Sequence, residues 1–247
     1  MSFLDIAVDE KRHGARTVLR GLRLGVDHGE IVSLVGASGC GKSTLLSIVA
    51  GLDRAYRGAV RLDGRQLTGP DADVGLVFQA PRLFPWLTVA QNVVFGGVGQ
   101  PAHDRPNLER AHALLEEVGL EGYGDALPKQ LSGGQAQRAA IARGLYLEPH
   151  VLLLDEPFSA VDAFTRMRLQ DLLAEAARQR GLTVLLVTHD IDEAIYLSDR
   201  VVLMDGAPGP VRAEFTNDAP WPRERGRLAL SPLKPAILDS LHAVHAI

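Results

Sequence analysis

Lys42 and Ser43 close a glycine-rich stretch, "GASGCGKST" (36–44), whose residue types and spacing suit phosphate chemistry. The run fits G-x-x-x-x-G-K-[ST], with Gly36, Gly41, Lys42 and Ser43 in the diagnostic places. Small residues along Gly36, Ala37, Ser38, Gly39, Cys40 and Gly41 let backbone N–H groups converge on phosphates. A helix starting near Ser43 and Thr44 would add about half a positive charge. Lys42 can neutralise β- and γ-phosphates, and the Ser43 hydroxyl can ligate Mg²⁺. The bland alternative is a strand-to-helix turn that binds nothing. It is disfavoured because an apolar strand precedes the run and the helical "STLLSIVAG" follows it.

Two further stretches carry chemistry. "VLLLDEPFSAVD" (151–162) ends an apolar run in a carboxylate pair. Asp155 would lie at a sheet's C-terminal edge and hold Mg²⁺, while Glu156 would polarise an attacking water. A solvated acidic pair is the plain reading of the pair alone; beside a phosphate loop the metal reading wins. "LSGGQAQR" (131–138) places Ser132, Gly133, Gly134 and Gln135 at a second anion-facing helix start. Ser132 and Asp162 each have a simpler role open to them, as helix N-caps worth about 1 kcal/mol.

The elements that position these residues follow from hydrophobic pattern. "LDIAV" (4–8) and "LRLGV" (22–26) alternate as half-buried antiparallel strands do. "IVSLV" (31–35), "VGLVF" (74–78), "VLLLD" (151–155) and "TVLLVT" (183–188) read as strands buried on both faces of a mostly parallel sheet. Leu169, Leu172, Leu173, Ala176 and Ala177 recur at helical spacing before Gly181. The section between Phe78 and Val151 lacks comparable strands. There Ala111, Leu114, Leu115 and Val118 share a helical face, with Asn107 expected to cap its start and Gly119 its end.

The expected fold is α/β. It comprises a P-loop nucleotide-binding core with a mostly parallel sheet and an N-terminal antiparallel β subdomain, over about 1–90 and 148–215. A helical lobe is inserted at about 91–147, and a tail and helix follow at about 216–247. The 247 residues suffice for one large domain or a domain with a lobe, 46% of them are apolar, and the formal charge of −4 gives no reason to expect nucleic acid. No stretch approaches the ~18 apolar residues of a membrane span. "MSFLDIAVDEKRHG" has no secretory pattern, and a single Cys40 precludes an internal disulfide, so a cytosolic chain is expected.

Taken together, the motifs resemble the ATP-binding subunit of ATP-binding-cassette (ABC) transporters over nearly the whole length. In that family the phosphate loop is Walker A, the acidic strand Walker B, and LSGGQ the signature. Gln79 in "VFQAP" fits the Q-loop, with a role at the metal and the attacking water. Asp162 in "SAVD" fits the D-loop, and His189 in "VTHD" the switch histidine. The resemblance implies ATP and Mg²⁺ as ligands and a head-to-tail dimer of two such chains, identical or paralogous. The signature of one copy would then face the γ-phosphate held by the other. One departure concerns adenine. The family's stacking aromatic, often tyrosine, is replaced by His13 in "KRHG", and imidazole offers less stacking area.

The wording "RLFPWLTV" is similar to the nitrate/sulfonate/taurine branch of importers, as are "APWPRERGR" and the C-terminal helix. Leu83, Phe84, Pro85 and Trp86 are then expected to receive a separate membrane permease, with a soluble binding protein acting indirectly. The chain would sit on the cytoplasmic face of the cell membrane, and no regulatory domain is expected after the tail. An exporter or lipid-extracting ATPase subunit is the runner-up. A soluble mechanical ATPase would bring tandem cassettes or heptad insertions, and a bare switch would have no use for Glu156 and His189.

Overall fold

The computed structural model describes residues 2–95, 104–159 and 161–245. In chain order its elements are β1 (Leu4–His13), β2 (Arg16–Val26), β3 (Ile31–Gly36), α1 (Lys42–Val49), β4 (Tyr56–Leu62), β5 (Arg65–Gln66) and β6 (Val74–Val77). Then come α2 (Val89–Val94), α3 (Arg105–Glu117), α4 (Gly133–Leu145), β7 (Val151–Asp155), α5 (Ala163–Arg180) and β8 (Thr183–Val187). The chain closes with α6 (Ile191–Leu197), β9 (Arg200–Met204), β10 (Val211–Thr216) and α7 (Leu233–His245). They form two compact units, Met1–Asp71 with Thr183–Ile247, and Ala72–Leu182.

The first unit holds an antiparallel sheet in the order β2-β1-β4-β5. Period-two alternation drives it: Leu4, Ile6 and Val8 are fully buried and face Val26, Leu24 and Leu22 across the β1–β2 register. Buried Lys11 leaves that pattern, and its ammonium is held by Asp53 at 2.6 Å and by the Ala55 carbonyl at 3.0 Å. The same unit contains β3 flanked by parallel β8 and β9, with β10 antiparallel on β9. Ile31 to Val35 are buried throughout, as strands covered on both faces require.

The tail and α7 pack onto this second sheet. Ile237 is fully buried against Val35, Ala194, Ile195, Val201 and Leu203, a burial worth about 1.5–3 kcal/mol. Upstream, Arg223 anchors the tail by donating to the carbonyls of Ala219 and Tyr196, both at 3.0 Å, and to Asp199 at 3.2 Å.

In the second unit, β6 and β7 pair in parallel from Val74↔Val151 to Val77↔Leu154. Ala111, Leu114, Leu115 and Val118 form a buried stripe, as their spacing predicts. The helix carrying them starts earlier than expected, at Arg105, with Asp104 at the cap. Asn107 is therefore not the cap. A proline in the first turn costs no hydrogen bond, so the helix extends upstream, and the Asn107 side chain instead accepts from the Tyr146 hydroxyl at 3.2 Å. Gly119 follows the last turn as expected, and its carbonyl accepts from Arg138 at 2.7 Å. Helix α5 runs to Gly181, its buried stripe centred on Leu169, Leu173 and Ala177 with Leu172 and Ala176 half-buried at the edge.

Candidate active site

The phosphate loop joins β3 to α1 within the first unit, and its backbone path is possible only with glycine at two points. Gly36 has φ +152°, and a Cβ there would lie 2.6 Å from the Met204 carbonyl oxygen. Gly41, at the cap of α1, has φ +107°, and a Cβ would meet Leu19 Cδ2 at 2.5 Å. Strands β2 and β9 thus press on the loop from behind, a constraint that the motif does not reveal. No side chain caps α1, so its start keeps backbone donors for an anion. Ser38, Gly39 and Ser43 are exposed, Ala37 and Thr44 half-buried, and Cys40 is buried. Lys42 is only 8% exposed. Its Nζ donates to the carbonyls of Gly36 at 2.8 Å and Ala37 at 2.9 Å, and sits 3.6 Å from Cys40 Sγ. The ammonium therefore arches over the loop it serves.

His189 belongs to the same unit. It is exposed just beyond β8, and the turn is fixed on both sides of it. Thr188 N–H donates to Leu34 O at 3.2 Å and Asp190 N–H to Thr188 Oγ1 at 3.0 Å, while Asp190 caps α6 by accepting from Glu193 N–H at 3.1 Å. His13 lies at the end of β1, exposed beside the Gly14–Ala15 turn and opposite Arg16.

The second unit brings Gln79 and Glu156 together: Gln79 Nε2 donates to Glu156 Oε2 at 3.2 Å. Asp155 ends β7 half-buried, and the chain turns at Glu156, whose φ is +44°. A non-glycine residue held there stores about 1–3 kcal/mol of strain. The turn is closed by Ser159, whose N–H and hydroxyl donate to the Glu156 carbonyl at 3.2 and 3.0 Å. Sequence gives no sign of this conformation, since nothing in "DEPFS" demands it.

Ser132 and Asp162 both act as caps. Ser132 Oγ accepts from Gln135 N–H at 3.2 Å, and Gln135 Oε1 accepts from Ser132 N–H at 2.8 Å, a closed capping box at the start of α4. Ser132 and Gly133 remain exposed, with Gly134 and Gln135 half-buried. Asp162 accepts from Thr165 N–H at 3.0 Å at the start of α5. That bond, with a second from the Thr165 hydroxyl, holds its carboxyl below the usual range.

The loop after Gln79 is built by residues that sequence reasoning missed. Fully buried Asn92 accepts from Phe84 N–H at 2.7 Å and donates to the carbonyls of Phe84, Leu87 and Thr88 at 2.9–3.1 Å. The signal was present, because "TVAQ" is a Thr88/Gln91 capping box that the structure forms. On this base Leu83 and Phe84 are half-buried, Pro85 is exposed and Trp86 is 73% exposed. The Phe84 ring lies 4.4 Å from Phe95 and 5.4 Å from Trp86. Among the described residues no helix is long and apolar enough to cross a membrane.

A phosphate loop ahead of a helix, in an α/β chain with an acidic strand end, defines the P-loop nucleotide hydrolases. The sequence matches the ABC transporter family over residues 19–159. The chain belongs to that family and is an ATP-binding ATPase subunit within it. It is 55% identical to the aliphatic sulfonates import ATP-binding protein SsuB 1 of Xanthomonas axonopodis pv. citri, over 99% of this chain and 98% of that one. It is 54% identical to the protein of the same name in Pseudomonas syringae pv. syringae, over 100% of this chain and 99% of that one. Among solved structures, a dimeric bacterial ABC transporter cassette, MJ0796, superposes with a TM-score of 0.77 at 32% identity, covering 87% of this chain and 99% of that one. Its dimeric post-hydrolysis state bound to ADP and Pi gives 0.76 at the same identity and coverage.

Proposed function

We propose that the chain energises import of aliphatic sulfonates, or of similar small anions such as taurine or nitrate, through a separate membrane permease. The observation that carries this reading is the end-to-end identity with sulfonate-import ATP-binding proteins. At 99% coverage the match takes in "RLFPWLTV" and the tail as well as the catalytic motifs.

In this reading residues 36–44 hold the phosphates of ATP, Lys42 leaving its two carbonyl partners for the β- and γ-phosphates. The donor set fits: an uncapped helix start, an exposed hydroxyl at Ser43 and a nearly buried ammonium. Mg²⁺, held by Ser43, Gln79 and Asp155, would supply charge neutralisation at the phosphates. Glu156 accepts the proton of the attacking water, and Gln79, bonded to its carboxylate, orients that water. His189 contacts the γ-phosphate, and His13 stacks on adenine. Two copies act head to tail, with Ser132, Gly133, Gly134 and Gln135 of one completing the γ-phosphate site of the other and Asp162 at their contact. Leu83, Phe84, Pro85 and Trp86 receive the permease at the cytoplasmic face, and a soluble binding protein presents the solute from the other side.

A strain deleted for the gene, grown with an alkanesulfonate, taurine or sulfate as sole sulfur source, tests the reading. The alkanesulfonate arm should fail and be rescued by the native chain but not by Lys42→Ala. Unimpaired growth on alkanesulfonate would overturn the sulfonate assignment.

A further inference from the structure

Helix α4 carries more than the signature at its first turn. Gln137, one turn in and 1% exposed, donates through Nε2 to the Phe78 carbonyl at 3.3 Å. That is the peptide unit leading directly into Gln79. Two turns further on, Arg143 spans the chain just past Gln79. Its Nη2 donates to the Pro81 carbonyl at 2.7 Å and its Nη1 to the Arg82 carbonyl at 2.9 Å. Burial pushes the Arg143 pKa down, a cost that a side chain used only for solubility would not carry. The backbone on either side of Gln79 is therefore tied to one helix, while the Gln79 side chain reaches Glu156. Arg82, held at φ +46° with its guanidinium 4.0 Å over the Phe78 ring, closes the loop on itself.

Gln137 Oε1 is buried with no hydrogen-bond partner among the described residues. An unpaired buried acceptor costs about as much as a hydrogen bond returns, so the side chain is a poor choice for stability. A methionine would fill the same space without the orphaned acceptor. What methionine cannot do is hold Phe78 O.

We infer that Gln137 and Arg143 are positioning residues that fix the Gln79 loop to the signature helix, so that α4 sets where the Gln79 carboxamide stands against Glu156. Movement of the signature helix then reaches the Gln79–Glu156 pair through backbone carbonyls rather than through any residue touching nucleotide. The inference rests on the proposed roles of Gln79 and Glu156.

The test is steady-state ATP hydrolysis by the full chain, with melting temperatures, for Gln137→Met, Arg143→Lys, Gln79→Ala, the double variant Gln137→Met/Gln79→Ala, and Glu156→Gln. Gln137→Met should lower kcat roughly three- to tenfold, with KM for ATP within about twofold and a melting temperature little changed, because relief of the orphaned Oε1 offsets the lost Phe78 bond. Arg143→Lys, which keeps the charge but loses the two-carbonyl fork, should show the same split. In the Gln79→Ala background, Gln137→Met should have almost no further effect, because coupled groups are non-additive. A kcat unchanged in both Gln137→Met and Arg143→Lys, or a full multiplicative loss in the double variant, would overturn the inference. Should Gln137→Met fail to fold, the Arg143→Lys split decides. Glu156→Gln separates the two readings: if it hydrolyses at the native rate, the catalytic assignment fails, whatever the α4 variants do.

Discussion

Lys42 and Glu156 show how differently one residue's environment can be encoded. Lys42 sits where its motif puts it, and the structure adds only its two carbonyl tethers. Lys42→Ala should cut ATP turnover by about 100-fold, on the order of 2–3 kcal/mol of lost phosphate stabilisation, with folding measured by circular dichroism retained. Glu156 is held in the left-handed region, where glycine rests without strain. Glu156→Gly is therefore expected to raise stability by about 1 kcal/mol in urea melts while abolishing hydrolysis. A variant that is less stable than the native chain would show that the Gln79 bond outweighs the strain. Glu156→Gln keeps the shape and removes the proposed base, so it should accumulate as an ATP-bound dimer in size-exclusion runs without Mg²⁺.

Helix starts and strand pairs carry the next level. The capping box at Ser132 means that this residue has a structural duty as well as the proposed one in trans, and two substitutions separate them. Ser132→Ala should cost about 1 kcal/mol of stability through the lost cap and only part of the turnover. Ser132→Arg should abolish turnover yet leave nucleotide binding to the monomer, read by fluorescent-ATP titration, within about twofold of native. In the β1–β2–β4 sheet, the Lys11–Asp53 pair makes a pH prediction. Partial burial works against the Asp53 charge, but the hydrogen bond from Lys11 and the Ala55 N–H outweigh it and hold the carboxyl below its ordinary value. A depressed folded pKa contributes stability above the unfolded pKa of about 3.9, and that stability is lost as pH falls through the folded value. Asp53→Asn should therefore be less stable than native at pH 7, with the gap closing below about pH 4. A gap that stays constant with pH would mean the pair contributes no charge effect.

Across the whole molecule, the exposed aromatic loop and the proposed catalytic residues can be disturbed separately. Trp86 is 73% exposed, so its removal takes little from the core. Trp86→Ala should leave the melting temperature and the unstimulated ATPase within about twofold of native. It should also lose most permease-stimulated hydrolysis in reconstituted membranes. Equal loss of both activities would place Trp86 in the fold rather than at the permease.

The phosphate loop, the signature cap, the buried strands and the α3 and α5 stripes were legible because each depends on residues within a few positions of one another. Glycine spacing, capping boxes and period-two or period-3.6 patterns are local, and at these positions packing reinforces the local preference. The edges of elements were less so: β4 contains Arg57, Gly58 and Arg61, and β10 is half-exposed, so apolar runs do not mark them. Asn107 is not the cap because the helix begins upstream at Arg105, and its side chain accepts instead from Tyr146, 39 positions away. What only the tertiary structure decided are pairings across long separations. Gln79 meets Glu156 over 77 residues, Lys11 meets Asp53 over 42, and Arg143 reaches Pro81 over 62. Such contacts depend on which helix packs on which strand, and the φ of Glu156 depends on the turn that packing closes. A sequence names the groups able to bond, and only the folded chain selects among them.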